Sequence, residues 1–226
     1  MSVGYKFTSK SQLQTAVDLW CSDEASATTT YGVINTWDVS NITIFSNLFD
    51  GKTAFDSDIS SWDVSSGNDF VGMFSGATSF NQDLVGWDVS SGTDFAEMFS
   101  GATSFNQDLD GWDVSNGEEF FAMFEKAISF NQALGNWDVS NGTNFTEMFL
   151  DAEKFNQDLG DWDVSNSYYF DGMFENAKSF NQDIGAWDVS EGKDFTLMFA
   201  EAESFNQDIS NWNVSEGEEF SYMFMD

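Results

Sequence analysis

The chain has no histidine, no arginine, seven lysines and a single cysteine, Cys21. Each scarcity removes a class of chemistry. Without histidine there is no Ser-His or Cys-His pair and no imidazole for general base work. One cysteine cannot close an internal disulfide, and the lack of any Cys or His cluster excludes zinc, iron-sulfur and haem centres, leaving only oxygen-ligand metal chemistry. Neither a P-loop nor a dinucleotide-binding glycine fingerprint is present. Carboxylate pairs are so abundant that a glycosidase-like pair could be chosen anywhere, so finding one identifies nothing. The expectation is a protein that is not an enzyme and has no cofactor, calcium being the one candidate. No stretch approaches the roughly 18 apolar residues of a membrane span, and the opening MSVGYKFTSK has no apolar signal core. Direct membrane insertion is not expected. The protein is either cytosolic or, if an export signal has been removed, extracellular or on a cell surface.

What is abundant is acid. Thirty-nine Asp and Glu residues give a formal net charge of -32. Such a surface repels phosphate backbones and anionic lipid, which argues against nucleic acid as a partner, and it attracts cations. High acidity often accompanies disorder, but 17% of the residues are aromatic and 25 are phenylalanine. That is too much apolar bulk for a solvated random chain, so the acid sits on a folded surface.

The aromatics are not scattered. SFNQDLVGWDVSSG at 79–92 is nearly repeated as SFNQDLDGWDVSNG at 104–117, and Trp37, Trp62, Trp87, Trp112, Trp137, Trp162, Trp187 and Trp212 are each 25 positions apart. A fixed spacing of this length predicts stacked repeats. The expected organisation is an N-terminal helical cap and connector over 1–36, then eight 25-residue repeats over 37–226, the last truncated at MFMD. Within 9–21, Leu13, Ala16, Val17 and Trp20 recur at i, i+3, i+4 and i+7, with Ser9 or Ser11 as N-cap, which predicts one amphipathic helix. A repeat stack has a raw apolar end, and this helix is placed to cover it. Residues 22–34 read as a small-residue connector.

Inside one repeat, Trp87 and Val89 alternate with Asp88 and Ser90, which is strand spacing. Phe95, Met98, Phe99, Ala102 and Phe105 then follow at helical spacing. Gly92 and its equivalents Gly67, Gly117, Gly142, Gly192 and Gly217 mark a turn between the two. Stacked, such units predict an α/β repeat solenoid: leucine-rich-repeat-like, right-handed, one parallel β-sheet on one side and short α or 3-10 segments on the other. Its core would be columns of Trp, Val, Phe and Met, with Phe45, Phe70, Phe95, Phe120, Phe145, Phe170, Phe195 and Phe220 forming one column. Asn81, Asn106, Asn131, Asn156, Asn181 and Asn206, preceded by Asp56, predict an amide ladder along the stack. Gln82 and its equivalents read as exposed and able to serve either the ladder or recognition.

The unit WDVSxGxxFxxMFxxAxxFNQxL resembles the repeat of the BspA-like leucine-rich-repeat surface proteins, first catalogued as a domain of unknown function in mycoplasmas, lactic acid bacteria and Listeria. The resemblance covers nearly the whole chain, including the FTSKSQLQTAVDLWC lead-in. It implies a surface-displayed or secreted array that binds partners. The chain departs from that pattern at one pair of sites. The family reads WDVSNVT, with methionine where phenylalanine stands here, whereas the valine site is glycine in six repeats, Ile42 in the first and Ser167 in the sixth.

With Trp and Val facing inward, Asp38, Asp63, Asp88, Asp113, Asp138, Asp163 and Asp188 should line up outward, followed by Asn213. At about 5 Å separation each neighbouring pair would repel by roughly 0.8 kcal/mol in bulk water and about 3 kcal/mol at an effective dielectric of 20. Three readings remain open. Screening and the adjacent serines make the column tolerable and keep a repetitive protein soluble, or the aspartates hold calcium between coils, or they meet a cationic partner. The overall expectation is a non-enzymatic structural or protein-interaction solenoid, a surface or assembly component that binds a protein partner or a second copy through its uncapped C-terminal end. Alternatives are a calcium-binding extracellular adhesion module and an ice- or mineral-binding surface, although the regular Thr columns suited to ice are missing.

Overall fold

The structure, a computed structural model, describes residues 4–225; Asp226, which closes the final MFMD, lies outside them. The chain opens with two short helices. Helix α1 spans Lys10–Ser22, with the Ser9 hydroxyl accepting from the Gln12 amide, and buries Leu13, Ala16, Val17 and Trp20, the face that the spacing predicts. Asp23 ends α1 and at once caps α2, Glu24–Tyr31, through a bond from the Ser26 amide. The segment read as a connector is thus helical for eight residues. Only Ala27 of α2 is buried, so no apolar periodicity announces it. A single 3-10 turn, Ile34–Thr36, leads into the first coil.

From Trp37 onward the chain forms coils of 25 residues laid one on another in register. The rings of Phe45, Phe70, Phe95, Phe120, Phe145, Phe170, Phe195 and Phe220 follow one another at centroid distances of 5.2 to 6.2 Å. A second column runs from Phe49 to Phe224 at 5.3 to 5.7 Å. A third runs from Phe55 to Phe205 at 5.7 to 6.2 Å. Offset parallel rings at these separations contribute about 0.5–1.5 kcal/mol per pair beyond the area they remove from water. Columns of Val39 to Val189 and Met73 to Met198 are likewise buried. One continuous apolar spine results, joined to α1 at one end.

The backbone is not the one expected. Among the described residues there is no β-strand, only isolated parallel bridges, and the helices are confined to residues 10–36. The α/β, right-handed, leucine-rich-repeat-like solenoid, with one parallel sheet and short α or 3-10 segments opposite it, is therefore corrected to a stack of turn-built coils. The roles of the two halves of the repeat are also exchanged. In WDVS the Trp87 amide turns back to Leu84 O and the Ser90 amide to the side chain of Asp88, so neither is available for a sheet ladder. WDVS pairs with another segment only in the first coil, where Tyr5–Phe7 lies against Asp38.

The segment with helical spacing carries the coil-to-coil bonds instead. The amides of Phe95, Glu97, Phe99 and Gly101 donate to Glu119, Phe121, Met123 and Glu125 of the next coil at 2.7–3.0 Å, while those of Met98, Ser100 and Ala102 close turns on Phe95, Glu97 and Phe99 of their own. The same alternation recurs at all seven coil junctions. A helix is prevented because the residue two after the phenylalanine and the residue six after it are left-handed: Glu97 has φ 56° and Gly101 φ 67°. Each left-handed residue swings the chain out of the α ladder and points alternate amides along the stack. Periodic burial at i, i+3, i+4 is satisfied equally by a helix and by these successive turns, which is why the spacing misled.

Glycine at the valine site has a different reason from the turn that the spacing suggested. A β-carbon on Gly92 would lie 2.4 Å from Cζ of Phe95. The phenylalanine ring of the same coil occupies the volume that a valine would fill, so the small residue and the large one are a compensating pair. In the sixth coil Ser167 is fully buried and its hydroxyl donates to Gly142 O at 2.8 Å.

Candidate functional site

The aspartate column is where the sequence puts it. Asp63, Asp88, Asp113, Asp138, Asp163 and Asp188 are exposed, and Asp38 is half-buried beneath Lys6, with which it pairs at 2.9 Å. Each carboxylate is turned to its own coil: the amide of the serine two residues on donates to it at 3.0–3.2 Å. In the first four coils that serine's hydroxyl adds a 2.6 Å bond. The Ser90 hydroxyl is the main reason the Asp88 carboxyl sits below its usual range, and the Ser40 hydroxyl followed by Lys6 does the same for Asp38. Among the described residues no three His, Cys, Asp or Glu side chains converge on a common point.

The asparagines form the ladder that was expected, and of the two roles open to the glutamines they take the ladder one. Each side-chain oxygen, Asn106 Oδ1 for instance, accepts the backbone amide of Asn131 at 2.9 Å and the side chain of Gln132 at 3.0 Å in the next coil. Asp56 performs the same task in the first coil. The glutamines read as exposed are members of the ladder. Trp indoles complete the register, each from Trp62 onward donating to the carbonyl 28 residues earlier, as Trp137 does to Leu109 at 2.8 Å.

On the turn face, Asp94, Glu147, Asp171 and Glu175 are held above the usual carboxyl range. Partial burial is the main cause at each, with neighbouring carboxylates adding to it. Seven lysines cannot neutralise this face, and four of them pair with acids: Lys6, Lys52, Lys126 and Lys178.

The two ends of the described stack differ in what covers them. At the N-terminal end α1 closes the first coil: Trp20 meets Trp37 edge-on at 5.9 Å, Gln14 Nε2 donates to Leu48 O at 3.0 Å, and Lys10 donates to Ser46. The C-terminal end has no such cover among the described residues. Phe220, Tyr222, Phe224 and Met225 are 40, 68, 57 and 40% exposed, whereas Phe195 and Phe199 one coil earlier are 0 and 3%. Val214, Trp212 and Ile209 border the same face. The sequence singled out this end. It did not show that the amides of Phe220, Tyr222 and Phe224, which in every other coil donate to a following one, have no partner among the described residues. The recurrent glycines at 51, 76 and 101 and at 72 and 172 were the available signal that this segment is left-handed and its amides point along the stack.

Comparison with known proteins agrees with the repeat. No curated protein and no solved structure matches the chain. One family model matches in three overlapping segments, residues 15–135, 112–196 and 169–226. With those matches running from within α1 to the last residue, the chain belongs to the repeat family described as Mycoplasma protein of unknown function, DUF285.

Proposed function

We propose that the protein is a non-enzymatic structural or interaction module of a surface or extracellular array, meeting a cationic protein partner along the acidic flank of its coil stack. One observation carries this reading: six aspartates, Asp63 to Asp188, stand exposed in one column along the stack, each tied to its own coil, on a chain with a formal net charge of -32. A fixed row of carboxylates of this length attracts and orients a positively charged surface. Membership of a repeat family and the absence of any helix long and apolar enough to cross a membrane among the described residues suit a displayed or secreted array of the BspA-like kind.

Photo-crosslinking in the producing cells tests the proposal. A photoreactive phenylalanine analogue replacing Asp88 on the outward column is expected to give adducts with a discrete polypeptide, while the same analogue at the buried Phe124 gives none. Adducts at Phe124 alone, or at neither position, would refute a protein contact along the column.

A further inference from the structure

The sixth coil breaks the repeat at an exposed place. In the other coils the two residues before the column phenylalanine are Thr43–Ile44, Asn68–Asp69, Thr93–Asp94, Glu118–Glu119, Thr143–Asn144, Lys193–Asp194 and Glu218–Glu219, none of them aromatic; here they are Tyr168–Tyr169. Phe170 behind them is fully buried and fills the core position, while the tyrosines stand 38 and 47% exposed. The rings therefore serve no packing need of their own coil. Tyrosine is a residue type that concentrates at protein contacts and supplies much of their energy. Backbone bonds fix the pair on both sides: the Tyr168 amide donates to Thr143 O at 3.0 Å, and Tyr168 O and Tyr169 O accept from the Lys193 and Phe145 amides at 2.9 and 3.0 Å. On a backbone held this way only two torsions per ring are left to immobilise, so a contact there costs little entropy.

The groups around the rings name what meets them. The Lys193 ammonium lies 5.8 Å from the Tyr168 ring centroid, so that ring already holds a cation against its face. The Tyr169 ring is 6.3 Å from it, tilted by 61°, and Asp194 occupies the same repeat position as Tyr169 one coil on. One Asp194 oxygen accepts the Thr196 amide at 2.9 Å, and the other has no partner among the described residues. We infer that Tyr168 and Tyr169 are the anchor point for the cationic partner and take an arginine of a basic protein segment, its guanidinium lying on a tyrosine face and donating to Asp194. The inference rests on the reading that the stack meets a cationic protein, and names where and through which residue type. Arginine fits better than lysine because its planar guanidinium stacks on a ring while its fork of N–H donors reaches a carboxylate. An apolar partner would strip water from Asp194 and Lys193 and return no bond, and an acidic one is repelled by a net charge of -32. Asp163 of the outward column precedes Tyr168 in the same coil, at most about 18 Å away along the chain, so one basic segment can engage both. Lys193 is then an internal competitor for the ring.

The test is an NMR titration of the full chain carrying carbon-13-labelled tyrosine, at physiological ionic strength so that diffuse attraction is screened. The probes are a peptide of alternating glycine and arginine, its lysine counterpart and a neutral chitin oligosaccharide. The Tyr168 and Tyr169 ring signals are expected to shift with the arginine peptide, which should bind about twofold to fivefold more tightly than the lysine peptide. Tyr168→Ala/Tyr169→Ala should weaken arginine-peptide binding by about fivefold or more, and Lys193→Gln should tighten it by about twofold to fivefold. Unmoved Tyr168 and Tyr169 signals in the parent chain would overturn the inference. So would weaker binding in Lys193→Gln, the mark of an acidic partner, or signals that answer the sugar and not the arginine peptide, the mark of a carbohydrate site. The Asp88→Asn/Asp113→Asn/Asp138→Asn variant separates this inference from the broader reading. If that variant loses peptide affinity while the parent's tyrosine signals stay still, the acidic flank stands without the tyrosine anchor; if neither set of substitutions weakens binding, both fall. The exposed tyrosines can be removed without opening the core, and the parent titration decides even where a variant fails to fold.

Discussion

The two ends of the stack face the same physical problem and meet it differently. Both terminate a column of aromatic rings and a set of directed backbone bonds. At the N-terminal end an amphipathic helix supplies apolar cover through Leu13, Val17 and Trp20 and a side-chain donor, Gln14, to a carbonyl that the stack leaves open. At the C-terminal end Phe220 and Phe224 stack on one side only and their amides stay open. The lesson is that each side of a coil in this fold is half of a junction, and at the N-terminal end α1 supplies the other half in place of a coil.

The largest expected effect comes from substituting equivalent apolar groups at the closed end and the open end. Leu13→Ala is expected to lower unfolding free energy by about 2–5 kcal/mol, and Phe124→Ala in mid-stack by about 3–5 kcal/mol, because both are fully buried. Phe224→Ala, at the same repeat position as Phe124, should cost less than about 1 kcal/mol because more than half of the ring is already in water. Chemical denaturation of the three variants checks the contrast, and equal losses at Phe124 and Phe224 would mean that the open end is covered in solution.

Next in size is the Gly–Phe pair. Gly92→Val should destabilise by about 1–3 kcal/mol through overpacking against Phe95. Gly92→Val with Phe95→Met should recover most of that loss, a double-mutant cycle that tests whether the two sites share one volume. The corresponding Gly217→Val, against a Phe220 that is 40% exposed, should cost less, since that ring can move aside.

A smaller gain is expected from relieving backbone strain. Glu97 holds a left-handed φ of 56° at a position where the second and sixth coils use Gly72 and Gly172. Glu97→Gly is expected to raise the melting temperature by a few degrees, equivalent to about 1 kcal/mol or less, because the left-handed conformation costs an L residue more than it costs glycine. Tyr222→Gly at the open end removes the same strain and should act similarly, provided nothing docks there.

The smallest effect is the pH response, and it separates the turn face from the outward column. Asp94, Glu147, Asp171 and Glu175 have raised native pKa values, so the folded state holds their protons more tightly than the unfolded chain does. Stability should therefore rise as pH falls from neutral towards the ordinary carboxyl range of about 4. Asp38 and Asp88 have lowered values, so their contribution is present above the unfolded pKa and is lost as pH falls through the folded one. A melting temperature that climbs to a maximum in mildly acidic buffer and then drops is the expected profile. A monotonic decline from neutral pH would contradict the assignment of the turn-face acids.

Much of this arrangement was legible from residue spacing. The repeat, its 25-residue period, the ring columns, the α1 face and the asparagine ladder all follow from which side chains recur, because burial of a large apolar or amide group once per period has few geometric solutions. The Asp column was placed correctly, but its bond to the serine two residues on converts a supposed strand into a turn, and that choice is made by a side chain competing for a backbone amide. Helix α2 was hidden because eight residues with one buried alanine carry no apolar stripe. The glycine at the valine site could not be interpreted until the Phe95 ring was seen to fill the space.

The sequence by itself determined that identical layers would stack and which atoms would form the spine, since periodic aromatics cannot leave water except against their own repeats. Only the tertiary structure decided where the backbone bonds run, and in which direction. Trp87, Val89, Phe95, Met98 and Phe99 are buried to the same extent in a sheet-and-helix layer or in successive turns, so hydrophobicity is indifferent between the two. The left-handed residues two and six places after each phenylalanine break that tie by pointing alternate amides at the following coil.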